Sequence, residues 1–183
     1  MNNKHWFVRC LIASATSLAL AAPVVAGAAT DWFLKIDGIK GESQADGHKD
    51  EIEILAWSWG LSRTGLADRS SKGPGACVSD MAFSKYLDAA TPLLMANVAS
   101  GMVIPKARLA VRPAGEGKAG QEFLVIELTT VVISSVADSG SPSDRPVESI
   151  SLRFGGAKVT YKPQKPDGSL GTPIETTLKG GGC

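Results

Sequence analysis

EFLVIELTTVVIS, residues 122–134, carries apolar side chains on both parities of an extended chain. Leu124, Ile126, Leu128 and Val132 fall on one side, and Phe123, Val125, Val131 and Ile133 on the other. Successive side chains of a strand point to opposite faces of the sheet, so a strand of this kind has to be covered twice. Antiparallel sheets normally leave one face wet. The second cover is therefore expected from another sheet or from another subunit.

The segments on either side repeat with period two. Val103, Ala107, Leu109 and Val111 alternate with Lys106, Arg108 and Arg112, and Ile150, Leu152 and Phe154 alternate with Ser149, Ser151 and Arg153; these are strands with one apolar face. The apolar parity flips after Gly155 and Gly156, so that Val159 and Tyr161 continue it, and a one-residue bulge at the glycine pair is expected. One segment reads as helix. In DAATPLLMANVASGM, residues 88–102, Thr91 is the expected N-cap, Pro92 suits the first helical position and Gly101 supplies a left-handed stop. Asp37-Gly38, Asp46-Gly47 and Asp167-Gly168 mark turns. The pattern is mainly β, an antiparallel barrel or sandwich with one short α-helix, and it contains no repeat and no internal linker.

The amino end reads as a leader. Lys4 and Arg9 form a basic start, residues 11–25 carry no charge, and Ala26-Gly27-Ala28 has the small-x-small pattern of a signal-peptidase site. Residues 1–28 are thus expected to be a signal peptide and residues 29–183 a single domain of about 155 residues, secreted or periplasmic. Cys10 precedes the apolar run, which does not fit a lipoprotein, and the run is shorter than the roughly 20 residues of a spanning helix. The chain has 19 Lys and Arg against 18 Asp and Glu, and with Lys4 and Arg9 removed the balance is close to zero. That does not supply the basic surplus on which nucleic-acid or anionic-membrane binding rests, so neither partner is expected. Beyond the leader there remain one histidine, His48, and two cysteines, Cys77 and Cys183; a zinc site is poorly supplied and no cofactor is implied.

Residues for catalysis are equally sparse. His48 lies in ADGHKDE, a turn-like polar stretch, and reads as a solvated loop residue instead of a general base. Asp50, Glu51 and Glu53 alternate with Ile52 and Ile54 and read as a solvated strand face. Lys106, Arg108 and Arg112 form a basic ladder without an aromatic on the same face, which reads as solvated or as an interface. AGEGKAG, residues 114–120, lacks the spacing of a phosphate loop and joins two strands. An enzyme is not expected.

Four stretches in order carry a family resemblance: DWFLKIDGIKGES at 31–43, EIEILAWSWGLSRTG at 51–65, FSKYLDAATPLLM at 83–95 and YKPQKPDGSLGTP at 161–173. They resemble the haemolysin-coregulated protein (Hcp) family, the tube proteins of type VI secretion, across essentially the whole of residues 29–183. The resemblance implies a two-sheet β-barrel with a flanking helix, hexameric rings stacked into a tube, and a lumen. It places Ser58 of Trp57-Ser58-Trp59 toward that lumen, and strict alternation independently points Ser58 away from both indoles. It assigns the glycine-rich loop that contains Ser62, Arg63, Gly65, Asp68, Arg69, Lys72 and Gly75 to contacts with the adjacent ring.

Two features depart from the family pattern, the leader and the KGGGC ending, where members usually continue through another strand. Export would put Cys77 and Cys183 in an oxidising compartment, where paired thiols are usually joined. The disulfide could link subunits and lock stacked rings, or staple the tail within one chain. Two functions follow: a non-enzymatic structural subunit of a ring and tube whose partner is its own copies, or a secreted ring-shaped binding module or chaperone that carries a small protein or ligand in its lumen.

Overall fold

The computed structural model describes residues 29–63, 77–115 and 121–180. In chain order the elements are β1 (Thr30–Ile36), β2 (Ile52–Glu53), β3 (Ala56–Ser58), β4 (Leu61–Ser62), β5 (Cys77–Val78), β6 (Met81–Tyr86), α1 (Thr91–Ser100), β7 (Val103–Pro113), β8 (Leu124–Ser139), β9 (Val147–Tyr161) and β10 (Ile174–Lys179). Every strand pair is antiparallel. The main sheet runs β2-β1-β7-β8-β9-β6-β3, with β10 also on β9, and β4 and β5 form a separate ribbon.

The two outermost strands of that path belong to one continuous segment. Ile54 donates its backbone N–H to Trp32 of β1 at 3.0 Å, and the next residue, Leu55, donates to Ser84 of β6 at 2.8 Å. Residues 52–58 therefore leave one end of the sheet and join the other. Such a connection wraps the sheet around a single core of Leu34, Ile52, Met81, Phe83, Leu109, Ile126, Leu128, Ile133, Ile150 and Leu152, each no more than 2% exposed.

β8 and β9 are long enough to serve both halves of the wrapped sheet. Their middle residues make the turn between halves, and the mechanism differs from the expected bulge. Register is kept from Thr129↔Gly156 to Val131↔Phe154, yet both strands reverse parity there. Leu128 and Val131 are buried while Thr129 and Thr130 are exposed, and Phe154 and Ala157 are buried on the partner. Thr130 takes a left-handed φ of 53°. A Cβ on Gly155 would lie 3.1 Å from the Cβ of Thr130, so the missing side chain makes room for the kink. The inserted residue is instead at Ser134, where the register shifts between Ile133 and Ser135.

The same kink corrects the reading of residues 122–134. Ile126, Leu128, Val131 and Ile133 enter one core although they differ in parity. Val125 lies in an outward row with Ala110 and Phe33, all three buried, and the loop before β2 covers that row by stacking His48 on Phe33. At Val125 the second face of β8 is buried within the chain itself, and a neighbouring subunit is not required for it.

Helix α1 also departs in detail. Its N-cap is Ala90, without a side-chain cap, and Thr91 is the first helical residue. The Thr91 hydroxyl accepts from the Asp88 N–H at 3.3 Å and from Lys85 Nζ at 3.2 Å, so it braces the turn before the helix. Gly101 ends the helix with φ 64° as expected.

Candidate functional site

Register alone assembles an open face from residues far apart in sequence. β3, β6, β9 and β8 lie side by side, and two cross-strand rows read Ser58↔Ala82↔Ser151↔Ser135 and Ala56↔Ser84↔Ser149↔Ala137. All eight are serine or alanine. The intervening row, Trp57↔Phe83↔Ile150↔Val136, points the other way into or against the core. Ser58 is exposed, while Trp57 and Trp59 are partly buried and pack on the core; Trp59 meets Phe154 edge-on at 5.7 Å. Small side chains without charge give a smooth wall with little capacity to grip a partner.

Polar groups frame this wall at both ends. At one end Asp80 accepts from Ser134 Oγ at 2.7 Å and pairs with Arg153 at 3.2 Å. At the other the Arg145 guanidinium sits 4.1 Å above the ring of Tyr86.

Beyond β3 the chain enters the expected stacking loop. Its base is pinched shut: Ser62 lies opposite Cys77 and Leu61 opposite Val78, and Gly60 and Ser79 exchange a backbone bond of 3.1 Å and a side-chain bond of 3.1 Å. Ser62 and Arg63 are exposed at this base. Gly65, Asp68, Arg69, Lys72 and Gly75 lie outside the described residues, as do residues 1–28 and Cys183.

Several charged residues are placed differently from the expectation. His48 is 2% exposed; its Nδ1 is 2.8 Å from Glu51 and its Nε2 is 3.5 Å from Glu122. With a carboxylate at each nitrogen and a ring stacked on Phe33 at 4.2 Å, it ties the loop before β2 to the sheet. Glu51 is buried with it, whereas Asp50 pairs with Lys40 at 3.1 Å and Glu53 is exposed. Arg112 leaves the basic ladder: it is 4% exposed, lies over Phe33 and donates to the Asp46 carbonyl at 2.8 Å. Lys106 is exposed and Arg108 half-buried, paired with Glu122. The solvated reading failed for His48, Glu51 and Arg112, because the Phe33 ring that His48 and Arg112 pack on lies on another element.

A second buried ionic cluster lies at the start of α1, where Thr91 joins it. Lys85 Nζ donates to the Tyr86 carbonyl at 2.9 Å and to Asp88 at 2.8 Å, and it faces Glu148 at 3.4 Å. It braces the turn between β6 and α1. Among the described residues no group of three His, Cys, Asp or Glu side chains could hold a metal ion, and no helix is long and apolar enough to cross a membrane.

The family model described as type VI secretion system effector, Hcp, matches residues 33–161. Protein hcp1 of Pseudomonas aeruginosa is 42% identical over 151 residues, which is 80% of this chain and 93% of that protein. The crystal structure of Hcp1 from Salmonella typhimurium has a TM-score of 0.68 at 35% identity, over 82% of this chain and 95% of that one. That of a type VI secretion system effector from Yersinia pestis has a TM-score of 0.66 at 35% identity, over 81% and 99%. The chain belongs to the Hcp family of type VI secretion proteins.

Proposed function

We propose that residues 29–183 form an exported, non-enzymatic structural subunit that assembles into hexameric rings, and that the rings stack into a tube. The wall around Ser58 would face the lumen. The observation that carries this reading is the pair of serine and alanine rows across four adjacent strands. A conduit must pass its contents without holding them, and an uncharged wall of short side chains meets that requirement. Family membership supports the ring, and the pairing of Ser62 with Cys77 supports a self-contained segment between them, the one that the resemblance assigns to contacts with the adjacent ring. The leader-like residues 1–28 support export. Light scattering and negative-stain imaging of residues 29–183 test the proposal: six-membered rings that stack at higher concentration are expected, and a stable monomer at micromolar concentration would overturn it. Isolated rings with a co-purifying polypeptide would assign the carrier function instead.

The disulfide is proposed within one chain. β6 and β10 follow each other along the same edge of β9, pairing with Val147–Leu152 and Gly156–Tyr161. The end of β10 therefore runs toward the start of β6. Gly180 donates to the Gly155 carbonyl at 2.8 Å, and Asp80 reaches Arg153 from the opposite direction. A side chain on Gly180 would collide with the Phe154 carbonyl, so this glycine allows the tail to pass close to the sheet. Cys77 and Cys183 each lie three residues from these contacts, a reach of roughly 10 Å of extended chain. That juxtaposition favours a staple within the subunit over a link between subunits.

A further inference from the structure

On the half of the sheet away from the serine and alanine wall, the outward face carries a groove of about 410 Å³. Its charged lining is Lys35, Lys106, Arg108 and Lys158, with Asp37 and Glu127 between them. The register lines up Lys35↔Arg108↔Glu127↔Lys158 across β1, β7, β8 and β9. Lys35 thus lies directly opposite Arg108. Like charges in that position oppose strand pairing, and nothing in the core requires them, because Lys35 is an exposed residue. Arg108 is paired with Glu122 and Lys158 with Glu175. Lys35 and Lys106 take part in no ion pair among the described residues.

The floor beneath these cations combines apolar and polar surface, with Ala107, Leu128 and Ala157 contributing the apolar part. Thr129, Gly156 and Thr177 line it, and Gly156 contributes no side chain at the point where β8 and β9 kink. An extended backbone can approach such a floor, with the threonine hydroxyls as hydrogen-bond partners. Asp37 and Glu127 supply acceptors for peptide N–H groups between the cations.

We infer that this groove is a docking surface for an acidic polypeptide segment of another protein, with Lys35 and Lys106 as the charges that recognise its carboxylates. The groove is lined by residues of a single subunit. The experiment is fluorescence anisotropy of residues 29–183 with a labelled octaglutamate peptide at low salt, alongside octalysine and a single-stranded DNA oligonucleotide of the same length. Octaglutamate should bind in a salt-sensitive manner, with octalysine and DNA weaker. The double variant Lys35→Glu/Lys106→Glu should lose about tenfold or more in affinity, and Lys49→Glu, on the exposed loop outside the groove, should not. Because both groove lysines are exposed and unpaired, the variant is expected to keep its circular dichroism and melting curve; Lys35→Gln/Lys106→Gln provides a milder version of the same loss. Absence of octaglutamate binding, equal binding by folded groove variants, or a preference for DNA would each overturn the inference.

Discussion

Lys85 of β6 and Glu148 of β9 stand directly opposite each other, both with no solvent exposure, 3.4 Å apart inside the core end of the sheet. Neither Glu148 oxygen has a hydrogen-bond partner, so Lys85 is the counter-charge on which that carboxylate depends. Removing one member of a buried pair strands the other charge, at a cost of about 3–5 kcal/mol. Lys85→Met is expected to destabilise by that amount, and Lys85→Met/Glu148→Leu by clearly less than the two single changes added together. Urea denaturation of all three variants checks this, and additive losses would contradict it.

Ser58→Arg is expected to leave the subunit folded. Ser58 is exposed beside Ala82 and points away from the core, so the change should move folding stability by less than about 0.5 kcal/mol. If the wall faces a lumen, the same variant should still form rings while altering the passage of material through them. Particle images and thermal melts provide the readouts, and loss of folding would show that the position is packed.

Gly155→Val would put a branched side chain against Thr130, where even a Cβ lies 3.1 Å away. Relief by moving Thr130 would disturb its left-handed conformation. A loss of about 1–3 kcal/mol is expected, as for other overpacked sites, measured by denaturant unfolding. Gly168→Val, at an exposed turn with open space around it but φ 81°, tests positive-φ strain without crowding and should cost less.

Non-reducing electrophoresis of oxidised residues 29–183 should give a monomer band with no free thiol if the proposed staple lies within one chain. Cys183→Ser should then lower stability by about 2–4 kcal/mol. A ladder that collapses on reduction would instead establish a bond between subunits.

Acid should loosen β10 before the long strands. The Glu175 carboxyl is held below its ordinary value of 4.5, first by the hydrogen bond from Lys158 and then by that from Thr160. A lowered folded value means that this contribution is complete above 4.5 and disappears as pH falls through the folded value. Hydrogen exchange, corrected for intrinsic rates, should show protection in residues 174–179 falling across that window while β8 and β9 hold. Glu175→Gln should remove most of the pH dependence, and an unchanged β10 in acid would refute it.

What could be read from the residues and what could not divides along sequence distance. Trp57-Ser58-Trp59 and Ser149-Leu152 reveal their faces by alternation, and Gly101 reveals the helix end by its conformation. The serine and alanine wall was half visible in those alternations, but Ala82, Ser135 and Ala137 join it only through register. The parity reversal of β9 was legible at Gly155 and Gly156, but the matching reversal in β8 showed merely apolar residues on both sides, so a bulge was expected where the two strands kink together. His48 and Arg112 looked solvated because Phe33, which buries both, lies far from either in sequence.

β8 and β9 run the full height of the subunit and share one ladder, from Leu124↔Tyr161 at one end to Ser139↔Val147 at the other. Tension applied along these strands would load many hydrogen bonds in parallel, so that they must fail together. With the proposed disulfide reduced, tension applied to the end of β10 would break its six pairings one after another. Once reduced, the same subunit is thus stiff along its long strands and peels easily from its tail.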